Sequence, residues 1–166
     1  MAVRLGALVA APLLLALTVG WLLRPEAHLT VSNSRTGEIY HRVEVREGST
    51  VRLSWTHSIE KTPWVEVYEV SGGRFLLREA RVKSFGAGVD QIAPEVRNAD
   101  GWVILSGTGR SFPELRFFHS RGVDRELALD GRVLDLGEVP QYAPVSVEIR
   151  SGSWIVSLPD GLMGGE

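Results

Sequence analysis

From Pro25 onward the apolar residues come in short runs, alternating with polar ones or briefly continuous, and rich in β-branched and aromatic side chains. Gly, Asn, Asp and Pro cut these runs, and no segment carries an apolar stripe of helical period over helical length. The pattern predicts strands at 29–32, 38–46, 50–57, 64–70, 75–83, 102–106, 115–119, 126–129, 132–136, 145–150 and 154–158. Gly72-Gly73, Asp130-Gly131 and Ser151-Gly152 supply the positive φ that tight hairpins need, and Gly37 and Gly48 punctuate the earlier connections. Most neighbouring strands should then be antiparallel, and the expected fold is all-β, an antiparallel sandwich or a partly open barrel.

The start of the chain follows a different rule. Residues 5–23 carry no charge and are dominated by Leu, Ala and Val, a run long enough to cross roughly 30 Å of hydrocarbon as a helix. This predicts a transmembrane or signal helix over 1–24, ahead of a β-domain at 25–166. Pro25-Glu26-Ala27 is a poor small-x-small cleavage site, which favours an uncleaved anchor. Arg4 and the amino terminus precede the run, whereas Arg24 is offset by Glu26, so the charge bias places the N-terminus in the cytoplasm. The expected location is the inner membrane, single-pass, with the domain in the periplasm or another extracytoplasmic space. Cleavage would instead make the domain periplasmic or secreted.

Composition narrows the chemistry. Hydrophobic residues at 44% and charged residues at 23% suit one packed domain. The 18 Lys plus Arg against 20 Asp plus Glu give no basic excess to neutralise phosphates, so nucleic acid is not an expected partner. Cysteine is absent, which excludes disulfides, thiolate metal sites and cysteine nucleophiles.

A symmetric loop at 58–63 and a two-residue turn at Gly72-Gly73 would set Val51 against Val70, Leu53 against Tyr68, Trp55 against Glu66 and His57 against Trp64. Arg52 would then oppose Glu69 on the other face. The next hairpin would add Phe75, Leu77, Glu79 and Arg81 beside Val70, Tyr68, Glu66 and Trp64. One end of this face would collect His57, Glu66, Glu79 and Arg81 around Trp55 and Trp64, next to Ser84-Phe85-Gly86-Ala87-Gly88. A carboxylate among aromatics requires a cation or hydrogen bonds. Such a cluster serves either as an ion-pair network pinning the register or as a ligand site. In a ligand site the amides of Gly86 and Gly88 would converge on a small anionic solute, with His57 and Arg81 as further donors.

Catalytic readings find less support. His57 and Ser58 are adjacent, so on a strand they point to opposite faces and form no ready dyad. A small envelope hydrolase or a metal-dependent enzyme using His57 and Glu66 is the rival class, although no metal-ligand spacing is present. Gly86-Ala87-Gly88 lacks the third glycine of a dinucleotide fingerprint, and no phosphate-binding loop follows, so no cofactor is expected. A purely structural interaction module is a further alternative.

The segment Trp55-Thr56-His57-Ser58-Ile59-Glu60-Lys61-Thr62-Pro63-Trp64-Val65-Glu66-Val67-Tyr68, followed by Lys83-Ser84-Phe85-Gly86-Ala87-Gly88, resembles the DUF1850 family of short exported bacterial proteins. Members are commonly encoded beside TAXI-type TRAP transporters, solute importers built from an extracytoplasmic binding protein and a membrane permease. The resemblance implies an accessory role in such uptake, with the permease or the TAXI solute-binding protein as partner. It assigns no chemistry. The matching motif residues are His57, Ser58, Glu60, Glu66, Ser84, Gly86 and Gly88, which overlap the pocket suggested by strand register.

Overall fold

In the computed structural model, which describes residues 26–83 and 93–151, the alternating runs form strands in two antiparallel sheets. β1 (Ala27–Asn33), β2 (Ile39–Val45), β9 (Glu114–Phe118) and β12 (Pro144–Ser151) make a sheet ordered β2-β1-β12-β9. The second sheet comprises β3 (Thr50–Thr56), β4 (Pro63–Ser71), β5 (Arg74–Val82), β6 (Glu95–Ala99), β7 (Trp102–Ser106), β10 (Glu126–Leu129) and β11 (Arg132–Leu134). Its order is β11-β10-β3-β4-β5-β7-β6, and the short β8 (Ser111–Phe112) also pairs with β5. The all-β antiparallel fold is as expected, and neither sheet closes into a barrel. The expected helix over 1–24, the strand at 154–158 and the turn at Ser151-Gly152 fall wholly or partly outside the described residues. Among the described residues, no helix is long and apolar enough to cross a membrane.

Strand alternation places Val51, Leu53, Tyr68, Val70, Phe75, Leu77, Leu127 and Leu129 on one face of the second sheet, in one core with Leu29, Val31, Leu115, Val145 and Val147 of the first. Phe75, Leu29, Leu127 and Val31 are wholly buried, and each such side chain contributes roughly 1.5–3 kcal/mol. The chain passes between sheets at Pro113, which separates β8 from β9. Proline has no N–H to extend the ladder, so the pairing along β5 ends there.

Two local features decide which side chains meet. The β3–β4 loop is tighter than expected, because His57 N–H donates to Thr62 O at 2.8 Å and Lys61 N–H donates to His57 O at 2.9 Å. Lys61 adopts φ 54° to close it. His57 therefore pairs across the loop with Thr62 and not with Trp64, and the ladder reads Trp55–Trp64, Leu53–Glu66 and Val51–Tyr68. Every partner lies two residues from the expected one. A shift of two preserves faces, so Trp55 and Glu66 do share the inner face, as diagonal neighbours and not side by side. Arg52 sits opposite Val67 and ion-pairs with Glu126, while Glu69 pairs with Arg78.

The second feature is a bulge in β5. Val70–Phe75 and Tyr68–Leu77 pair as expected, but Val67 pairs with Glu79, leaving Arg78 as the extra residue. Beyond the bulge the faces exchange. Ala80 now lies beside Glu66, and Glu79 and Arg81 pass to the opposite face beside Val67 and Val65, where they pair with each other. The expected gathering of Glu79 and Arg81 around Glu66 is thereby corrected. In their place Ala80 and Val82 join Val103 and Leu105 in a second, smaller apolar cluster, against which Trp64 packs.

Candidate functional site

Glu66 sits on the inner face between Trp64 and Tyr68, the residues two positions away on its own strand. Both aim donors at it: Trp64 Nε1–H donates to Oε1 at 3.3 Å and Tyr68 O–H to Oε2 at 2.5 Å. Burial, followed by the Glu66 charge and this hydrogen bond, pushes the Tyr68 hydroxyl far above its ordinary range, so it remains a donor. The ring of Tyr68 is braced edge-on by Phe75 at 6.2 Å and Phe112 at 6.0 Å. The carboxylate expected to need partners therefore has two, both neutral.

The cation comes from a residue that the sequence did not single out. A 3₁₀ turn at Arg121–Val123, capped by the Ser120 side chain and closed by Asp124 at φ 43°, leads through Arg125 into β10 beside β3. The Arg125 guanidinium lies 4.4 Å from the centre of Phe117 and 5.7 Å from that of Trp55, spanning from one sheet to the other. Nη1 donates to Phe118 O at 2.8 Å, whereas Nε is buried with no hydrogen-bond partner among the described residues. Burial pulls the Arg125 pKa down from its usual value, and the Glu66 charge partly restores it.

Behind Arg125 the rings continue in a column. Trp55 stacks on Trp64 at 5.6 Å, and Trp64 stacks on His57 at 5.6 Å. The cross-strand pairing of the two tryptophans produces this stack directly. His57 Nδ1 accepts from Glu60 N–H at 3.3 Å, which ties the ring to its loop and leaves Nε2 as the protonated nitrogen of the neutral form. Cavities open on either side of Trp55 and Arg125. One of about 340 Å³ is lined by His57, Ser58, Trp64 and Val123. The other, of about 270 Å³, is lined by Glu66, Tyr68, Phe112 and Phe117.

His57, Ser58 and Glu66 are thus brought to one region, with Glu60 contributing its backbone to the hold on His57. Arg81 is not, since the bulge turns it to the other face. Ser84, Gly86 and Gly88 lie outside the described residues. Ser58 is exposed in its loop, and with His57 Nδ1 engaged by Glu60 the two are not disposed as nucleophile and base. Among the described residues, no group of three or more His, Asp and Glu is placed to hold a metal ion.

His119 lines a neighbouring cavity of about 480 Å³ and is only 5% exposed, with neither ring nitrogen hydrogen-bonded among the described residues. Burial first, then Arg125 and Arg121, lowers its pKa from 6.5. A histidine with a depressed folded pKa stabilises the fold above its unfolded pKa, and that contribution is lost as pH falls through the lower folded value. The expected result is a thermal midpoint that declines below about pH 6.5, with His119→Leu making that decline shallower. The lowered carboxylates of Glu69 and Glu114 act in more acidic solution. Melts of both proteins between pH 8 and 5 test this, and parallel curves would contradict it.

The sequence profile described as a domain of unknown function, DUF1850, matches residues 51–136, more than half of the chain. The chain belongs to the DUF1850 family. The matched span runs from β3 through β11 and contains Trp55, His57, Glu66, Phe117 and Arg125. No curated protein and no solved structure matches the chain.

Proposed function

We propose that the protein is a membrane-anchored extracytoplasmic binding component that assists a TAXI-type TRAP importer, holding its solute, its binding protein or its permease at the cleft around Arg125. The importer context follows from the family resemblance, and the anchor from the apolar run at 5–23. The observation that carries the binding role is Arg125 itself. A guanidinium partly drawn out of water, set between Phe117 and Trp55 and lining the cavities on both sides, is a costly way to stabilise a fold and a good way to hold a ligand.

The test is purification of the anchored full-length protein from native membranes after mild crosslinking. The permease or the TAXI binding protein should be retained, and His57→Ala should reduce retention about tenfold with the domain still folded, since His57 lines the cleft and lies outside the main core. Retention of neither component would overturn the importer role.

A further inference from the structure

The 270 Å³ cleft presents opposite charges that do not neutralise each other. Arg125 and Glu66 both line it and interact electrostatically, yet no ion pair joins them. A guanidinium has five N–H donors, and among the described residues only the bond to Phe118 O uses one. A carboxylate has about four acceptor positions, and Trp64 and Tyr68 occupy one on each oxygen. Two further charged residues at the cleft, Glu114 and Arg116, are paired with each other, and Glu114 also accepts from Ser146. The remaining walls are apolar, formed by Leu53, Trp55, Tyr68, Phe112 and Phe117.

This charge pattern is selective. A simple anion drawn to Arg125 meets the Glu66 carboxylate, and a simple cation drawn to Glu66 meets Arg125. A molecule carrying both charges satisfies both groups and leaves neither desolvated alone. The volume is slightly below the roughly 300–1,000 Å³ of drug-sized sites, so the ligand is small. We infer that this cleft binds a free α-amino acid with an apolar side chain, its carboxylate on Arg125, its ammonium on Glu66 and its side chain among the rings. This deepens the reading of the cleft as a ligand site and rests on it.

The test is calorimetric titration of the purified full-length protein with leucine and phenylalanine. The matched controls are the acids lacking the amine (4-methylpentanoate, 3-phenylpropanoate) and the amines lacking the acid (isopentylamine, phenethylamine). The amino acids should bind at least about tenfold more tightly than either control set, the difference of one charged hydrogen-bonded contact. Glu66→Gln should remove that advantage over the acids, and Arg125→Met should weaken amino acids and acids together. Acids binding as tightly as amino acids would overturn the zwitterion assignment while leaving a ligand site in place. Absence of binding by the whole panel, with transporter components still co-purifying, would overturn the assignment and leave protein docking as the role of the cleft. If Glu66→Gln fails to fold, the comparison of ligands on the unmodified protein decides alone.

Discussion

Replacing Phe75 with alanine is expected to lower the unfolding free energy by about 3–5 kcal/mol, the cost of removing a large aromatic side chain from a packed core. Phe75 is 0% exposed and lies where β4, β5 and β8 come together, beside Val70 and Phe112. Its ring also braces Tyr68, whose hydroxyl holds Glu66. The same substitution should therefore loosen the site as well as the fold. Since a domain of this kind has only about 5–15 kcal/mol in hand, the variant should melt far earlier in urea or lack a cooperative transition. Val133→Ala, at an exposed position on β11, should change stability by no more than about 0.5 kcal/mol. A loss below about 1 kcal/mol at Phe75 would mean that the two sheets do not enclose the core described.

Much of the fold was legible because local chemistry and tertiary packing agree. Gly72-Gly73 and Asp130-Gly131 turn where their backbone freedom predicts, with Asp130 at φ 48° and Gly131 at φ 81°, and the alternation in β3 and β5 names the buried face. β6 escaped because Glu95-Val96-Arg97-Asn98-Ala99 is an exposed edge strand with one side chain partly buried, so no apolar alternation marks it. Its Asp100-Gly101 turn, with both residues at positive φ, was the available signal. The bulge at Arg78 left a trace in the apolar phase, which runs through Phe75 and Leu77 and resumes at Ala80 and Val82, but an uninterrupted alternation over 75–83 passes over it. That single insertion moved Arg81 away from Glu66. Arg125 was hidden for another reason: it reaches the site through pairing of β10 with β3, more than seventy residues apart, and its neighbour Phe117 comes from the other sheet. His57 and Glu66 were found because both flank one short loop, where sequence neighbours are also neighbours in space.

The second large effect is expected at Arg125, where function and stability should separate. Arg125→Met keeps a long polarisable side chain to fill the space between Trp55 and Phe117 and removes a partly desolvated cation. The hydrogen bond to Phe118 O is lost, at a cost of about 1 kcal/mol. These terms oppose each other, so stability should stay within about 1 kcal/mol of the parent. Binding should fall by about tenfold or more, because the guanidinium set between Trp55 and Phe117 is gone. If the cleft exists to bind, parallel thermal melts and binding measurements on the full-length parent and Arg125→Met will separate its function from its stability. Arg125→Met should lose binding with its melting temperature unchanged or raised, whereas a melting temperature that falls in step with binding would make Arg125 a structural brace and the cleft no binding site.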